Sequence, residues 1–151
     1  MTDLPVSPLG CSCFRLRRLA RAMSRLYDQH LAAAGLKTTQ YSVLANAGRA
    51  ALPVAELADR LGTERTTLTR NLKPLCDAGW IVLVPGADSR QRIVTITDAG
   101  RAKLKQAWPF WRAAQDAFEH RLGAGAVGKL HDQLDDTLAR LTLLLDEASD
   151  E

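Results

Sequence analysis

Three groups of residues in this chain have the types and spacing to do chemistry. The first is thiol. Cys11-Ser12-Cys13 sets two cysteines one residue apart, and Cys76 stands alone. Paired thiols can oxidise or hold a thiophilic metal or metalloid. A disulfide across one intervening residue is strained, so oxidation favours a bridge between two copies or from Cys13 to another cysteine. A metal needs a third ligand, and His30, His120 and His131 show no metal-ligand spacing. The second group is the run Arg65, Thr66, Thr67, Thr69, Arg70, Asn71 and Lys73. Arginine pairs with guanine, asparagine with adenine, and a threonine methyl meets the thymine methyl. The third is a polar stretch, Pro85 to Arg92, carrying Asp88, Arg90 and Arg92. Guanidinium groups there suit phosphates or a narrow minor groove. Asp88, two residues before Arg90, is placed to hold the Arg90 side chain by charge-assisted hydrogen bonds. No phosphate-cradling glycine loop, HExxH, GxSxG or clustered Cys/His set is present, and Asp135-Asp136 reads as a solvated acidic face. The chemistry is recognition, and the chain is not expected to be an enzyme.

The elements that position these groups follow from periodicity. Leu52 to Gly100 holds two short helical patterns joined at Leu61-Gly62-Thr63, then two β-like runs, Trp80–Val84 and Arg92–Ile96, around the polar tip. That order is a winged helix-turn-helix, whose second helix enters the DNA major groove. Pro53 suits the first turn of a helix over Val54–Leu61, with Val54, Leu57, Ala58 and Leu61 on one face. Thr63 is a natural cap for a helix over Glu64–Ala78, rooted by Leu68, Leu72 and Leu75. Pro74 should bend or loosen that helix, and Gly79 should close it.

Longer helices flank this head. Phe14 to Ala34 lacks Pro and Gly and repeats Leu16, Leu19, Met23, Leu26 and His30 at helical spacing, with Gly35 as its stop. Its arginines read as a solvated face, with DNA phosphate contact as the alternative. A helix capped by Thr38 or Thr39 carries Tyr41, Val43, Leu44 and Ala47. Thr97 caps another, running over Arg101–Leu122, which Pro109 should kink and Gly123 and Gly125 should end. The last spans about Val127 to Leu145, with Leu130, Leu134, Leu138, Leu141 and Leu145 aligned. Residues 1–10, with Pro5, Pro8 and Gly10, read as an irregular arm. The fold class expected is mostly α with a small β-hairpin wing. A winged helix-turn-helix head over residues 35–100 is flanked by helical dimerisation segments at 1–34 and 101–151. These helices carry more apolar surface than the head can cover, which implies a second copy.

Composition bounds the rest. Hydrophobic residues make up 46% of the 151, which supports one globular core, and the formal net charge of +3 is compatible with nucleic acid without requiring it. The charge is uneven: Phe14 to Arg25 holds five arginines and no acid, whereas Asp132 to Glu151 holds seven acids and one arginine. The acidic tail is therefore not expected to touch DNA. No run approaches the roughly 18 to 20 apolar residues of a membrane span, and the N-terminus lacks a secretory pattern. Three cysteines fit a reducing cytosol, so the expected location is cytoplasmic, with no membrane partner.

From about Cys13 to Leu145 the chain resembles the MarR family of bacterial regulators. The matching segments are Val54-Ala-Glu-Leu-Ala-Asp-Arg-Leu61, Thr67-Leu-Thr-Arg-Asn-Leu72, Asp88-Ser-Arg90 and Val94-Thr-Ile-Thr97-Asp-Ala-Gly100. The resemblance implies a homodimer intertwined through its first, fifth and sixth helices. It implies a pseudo-palindromic double-stranded operator, usually repressed, and release by a small effector or by cysteine oxidation. It maps the recognition positions onto Arg65, Thr66, Thr67, Thr69, Arg70 and Asn71, and the wing arginine onto Arg90. No cofactor is required, and the effector is expected to be a small aromatic or acidic compound. Tyr41, Trp108, Trp111 and Phe118 either line its pocket or are plain core; Arg17 or Arg21 could pair with its carboxylate. Cys11 and Cys13 are the redox or metal-sensing candidates, the alternative being small apolar residues packed at the dimer base. Cys76 is expected to pack under the hairpin. A winged helix serving protein contacts alone is the remaining alternative, against which the basic Arg65–Lys73 and Arg90/Arg92 surfaces speak.

Overall fold

The computed structural model describes residues 10–149. The arm expected at residues 1–10 lies, apart from Gly10, outside them. The chain divides into two compact units, Met1–Ala114 and Gln115–Glu151.

In the first unit, α1 (Ser12–Leu31) passes through a short 3-10 turn (Ala32–Ala34) into α2 (Thr38–Arg49). Strand β1 (Leu52–Pro53) precedes α3 (Val54–Leu61) and α4 (Arg65–Asp77); β2 (Ile81–Pro85) and β3 (Arg92–Ile96) form the hairpin, and α5 begins at Asp98. The glycine stops have a common geometry. Gly35, Gly62 and Gly79 all take positive φ. In each case the next amide reaches back five residues: Leu36 to Leu31, Thr63 to Ala58 and Trp80 to Leu75. This closure occupies carbonyls the helix end would otherwise leave orphaned, in a conformation that favours glycine.

The sheet is antiparallel in the order β1-β3-β2. Ile81 faces Ile96, Leu83 faces Val94 and Pro85 faces Arg92, while Leu52 also registers with Val94. Strand β1 was not foreseen, because two residues carry no periodicity. Pro53, expected in the first turn of α3, is its N-cap and the second residue of β1. A residue without an N–H is tolerated on such an edge. Beneath the sheet, Leu31, Leu44, Leu57, Leu68, Leu72, Leu75, Ile81 and Val94 are all but completely buried, and among the described residues no polar one is.

Several caps differ from expectation. α2 is capped neither by Thr38 nor by Thr39. Lys37 holds the N-cap position, its amide donates to Gln40 Oε1 at 2.9 Å, and the Thr38 amide donates to Asp28 Oδ1 at 2.7 Å. A carboxylate from α1 thus meets the positive end of α2, a partner ten residues away that local patterns do not reveal. Thr63 does not cap α4. Its amide is used in closing α3, and Glu64 takes the N-cap position without a side-chain bond. Thr97 does cap α5, accepting from the Gly100 amide at 3.0 Å.

Helix α5 (Asp98–Leu122) continues through Pro109. Gly123, with φ 88°, alone separates it from α6 (Ala124–Ser149), and Gly125 lies inside α6. In the second unit, α6 exposes Leu134, Leu138, Leu141 and Leu143 to Leu145. Among the described residues no helix is long and apolar enough to cross a membrane.

Candidate nucleic-acid interface

Helix α4 is rooted by three leucines at helical spacing, Leu68, Leu72 and Leu75, each no more than 1% exposed. It packs against α3, α2 and β2. Fixing that side determines what the rest of the helix presents. Arg65, Thr66, Thr67, Thr69, Arg70, Asn71 and Lys73 are all exposed. At 100° per residue, Arg70 stands two residues from both Leu68 and Leu72 and so lies on the far side, with Thr66 one turn before it. Arg65 and Asn71 each lie three residues from Leu68 and flank the helix instead.

Two of these side chains are already engaged. Thr69 Oγ1 donates to the Arg65 carbonyl at 2.8 Å, which uses its proton and leaves its lone pairs to accept from another donor. Lys73 Nζ lies 2.8 Å from Asp77 Oδ2, and that hydrogen bond and charge raise the lysine pKa above its ordinary value. Asp77 was not singled out from the sequence. It offsets part of the Lys73 charge and takes one of the three ammonium donors, leaving two for another partner. Pro74 sits inside the helix and cannot donate back to Arg70, but the helix runs on to Asp77.

The wing tip is built from backbone bonds. Gly86 N–H donates to the Gln91 carbonyl and Gln91 N–H to the Asp88 carbonyl, each at 2.9 Å. Asp88 supports the wing, but not through the Arg90 guanidinium. Its Oδ1 accepts from the Arg90 backbone amide at 3.1 Å. A side chain as short as aspartate reaches the amide two residues on before it reaches a long, mobile guanidinium. The Arg90 head is thereby left facing out while its backbone is held.

Two crevices flank α4 and differ in chemistry. On the wing side, a cleft of about 220 Å³ is lined by Arg65, Arg90 and Arg92 with Asp88 and the start of α3. On the α2 side, a smaller one of about 150 Å³ is lined by Thr38, Thr39, Ser42, Thr63 and Asn71 over Val43, Leu61 and Leu68. Thr97 ties the base of the wing to α5: its Oγ1 donates to the Gly79 carbonyl at 2.6 Å. Gly100 is required next to it, since a Cβ there would run into the Trp80 carbonyl.

The sensor candidates fall elsewhere. Cys11 is the N-cap of α1 and Cys13 lies in its first turn, both exposed. Among the described residues no three His, Cys, Asp or Glu side chains come together as a metal site. Cys76 is partly buried against the head core, and burial, then Asp77, raises its thiol pKa. Tyr41, Trp108 and Trp111 do come together. Tyr41 stacks on Trp111 with ring centres 5.8 Å apart, Trp111 stacks on Trp108 at 5.1 Å, and Tyr27 tilts against Trp111 at 6.2 Å. Tyr41 is buried and Trp108 is 52% exposed, so the stack leads from the core to the surface. Phe118 belongs to the second unit. Arg17 and Arg21 lie on the exposed face of α1 with Arg18 and Arg25, around Phe14.

Comparison with known proteins gives one answer. Residues 34–92 match the model of the MarR family. The transcriptional regulator MosR of M. tuberculosis, solved in complex with DNA, is 36% identical with a TM-score of 0.73, covering 85% of this chain and 97% of that one. A mutant of MarR from E. coli, complexed with operator DNA, is 26% identical with a TM-score of 0.76, covering 91% and 99%. The HTH-type transcriptional regulator TcaR of Staphylococcus aureus is 33% identical over 70 residues, an alignment spanning 44% of this chain and 46% of TcaR. These relatives are transcriptional regulators, not enzymes.

Proposed function

The chain belongs to the MarR family of transcriptional regulators, and on that premise we propose that it is a homodimeric repressor of a pseudo-palindromic operator. The observation that carries this is the shape of α4: a leucine root under Leu68, Leu72 and Leu75, an outer face of Thr66 and Arg70, and a wing presenting Arg90 and Arg92 beside it. In this reading Arg70, Thr66, Thr67 and Thr69 meet base edges, while Arg65, Lys73, Arg90 and Arg92 meet the backbone or minor groove. The exposed leucines of α6 and the exposed Leu16 and Leu19 of α1 support a second copy as partner. A two-fold dimer then presents two copies of α4 to major grooves about 34 Å apart.

Release by an effector has two candidate sensors in the molecule. The aromatic stack ending at exposed Trp108 suits a small aromatic or acidic compound. The exposed Cys11 and Cys13 suit thiol oxidation or a thiophilic ion. The test is a titration of full-length protein against DNA from just upstream of its own gene. It is run with reduced protein, with peroxide, with thiophilic ions and with aromatic acids. Tight binding lost on oxidation, and retained in Cys11→Ser/Cys13→Ser, assigns the thiols. Loss with an aromatic acid, abolished in Trp108→Ala, assigns the stack. Failure to bind any duplex at low salt overturns the reading.

A further inference from the structure

The α2-side crevice differs in chemistry from the cleft beside the wing. We infer that it seats the DNA backbone: Thr39, Ser42, Thr63 and Asn71 hold a sugar-phosphate of the strand on the side of α4 away from the wing, through uncharged hydrogen bonds. This rests on the reading that α4 enters a major groove.

A helix about 10–12 Å across fills a groove about 12 Å wide, so a backbone wall stands on each of its flanks. The wing-side flank meets its wall with guanidinium groups. The opposite flank carries no ionisable side chain in its lining. Asn71 belongs to that flank. It lies three residues from Leu68 and one before Leu72, turned toward α2 and away from the crown where Arg70 stands. An asparagine placed there reaches a groove wall before it reaches a base edge.

The crevice suits a neutral contact. The Lys37 and Thr38 amides at the start of α2 are already spent, on Gln40 and Asp28. The Asp28 carboxylate, 2.7 Å from the Thr38 amide, also keeps a phosphate from settling deeply. Within the crevice lining, the polar groups are the hydroxyls and the Asn71 side-chain amide. Thr38 Oγ1 is buried in the crevice wall with no hydrogen-bond partner among the described residues. That oxygen has almost no accessible surface, so it takes no part in the contact, which is left to Thr39, Ser42, Thr63 and Asn71. The crevice, about 150 Å³, is open to solvent on one side and so is reachable by a backbone phosphodiester. The floor of Leu61 and Leu68 is apolar, as the face of a deoxyribose is.

Uncharged contacts release no counterions, and this makes the inference measurable. Each phosphate neutralised by a cation steepens the log–log salt dependence by about 0.9, whereas a hydroxyl contact adds affinity without changing that slope. The experiment compares full-length wild type, Thr39→Ala/Ser42→Ala, Asn71→Ala, Arg70→Ala and Arg90→Ala. Each is titrated at several salt concentrations against the operator that wild type binds and a scrambled duplex of equal length. Thermal melting establishes that each variant is folded. The expected result is about a five- to hundredfold loss for Asn71→Ala, which removes one contact in each half-site, and a larger loss for Thr39→Ala/Ser42→Ala, each equal on both duplexes and at every salt concentration. Phosphate-ethylation interference should lose an outer phosphate of each half-site in these variants. Unchanged affinity and footprint, a reduced salt slope, or a loss confined to the operator would each overturn the inference. If Arg70→Ala and Arg90→Ala are also without effect, the placement of α4 in the groove falls with it; if those two weaken binding, only the crevice assignment falls.

Discussion

Replacing Thr97 with valine keeps the side-chain shape and removes one hydroxyl that has two tasks. Thr97 Oγ1 accepts from the Gly100 amide at 3.0 Å, capping α5, and donates to the Gly79 carbonyl at 2.6 Å, fixing the turn between α4 and β2. Loss of an N-cap costs about 1 kcal/mol. Loss of the second bond costs about 0.5–1.5 kcal/mol more. Valine leaves no cavity, and water can reach the Gly79 carbonyl, so the second term falls in the lower half of its range. The expected destabilisation is about 1.5–2 kcal/mol, a fall in Tm of roughly 3–8 °C for a chain of this size. Thermal and urea unfolding of Thr97→Val and Thr97→Ser, at one fixed protein concentration, would measure it. Serine keeps both bonds and should retain most of the stability. A valine variant within about 0.5 kcal/mol of wild type, or a serine variant as damaged as valine, would refute the two-task account.

Three further outcomes are expected. Gly100→Ala drives a Cβ into the Trp80 carbonyl and against Ile96, and should cost at least about 2 kcal/mol in urea unfolding; wild-type stability would show that the close approach is not maintained in solution. Arg90→Ala should reduce the salt slope of DNA binding by about 1.8 for a dimer with two wings, so its deficit relative to wild type shrinks about twelvefold between 50 and 200 mM salt; parallel slopes would remove the wing from the backbone contacts. With iodoacetamide near pH 7.5, the exposed Cys11 and Cys13 should alkylate well before Cys76. Burial raises the Cys76 pKa, so its thiolate is scarce at neutral pH and its reactivity should grow only as pH climbs; rapid labelling of Cys76 by mass spectrometry would contradict its packed placement.

The motif that carries the family resemblance acquires a physical reason here. In Val94-Thr-Ile-Thr97-Asp-Ala-Gly100, Val94 and Ile96 are buried beneath the sheet, Thr97 caps α5, and Gly100 makes room for the Trp80 carbonyl. Asp88 also has a reason, though not the one its spacing suggested: it orders the tip through a backbone amide.

What could be read directly was what depends on neighbours three or four residues away. The leucine root of α4, the hairpin, the cap at Thr97 and the stops at Gly35, Gly62 and Gly79 all follow from helical or strand periods and from backbone conformations that glycine tolerates. Those interactions are local, so residue order is enough to determine them. Only the tertiary structure decided which side of α4 each polar residue serves. Asn71 and Arg70 are adjacent and both polar, but Asn71 shares a crevice with Thr38 and Ser42 of α2, while Arg65 shares another with Arg90 and Arg92 of the wing. The Asp28–Thr38 clasp and the two-residue strand β1 likewise depend on partners distant along the chain. Side-chain chemistry is encoded residue by residue, but a crevice has walls from several elements, and its contents follow from how the buried leucines bring those elements together.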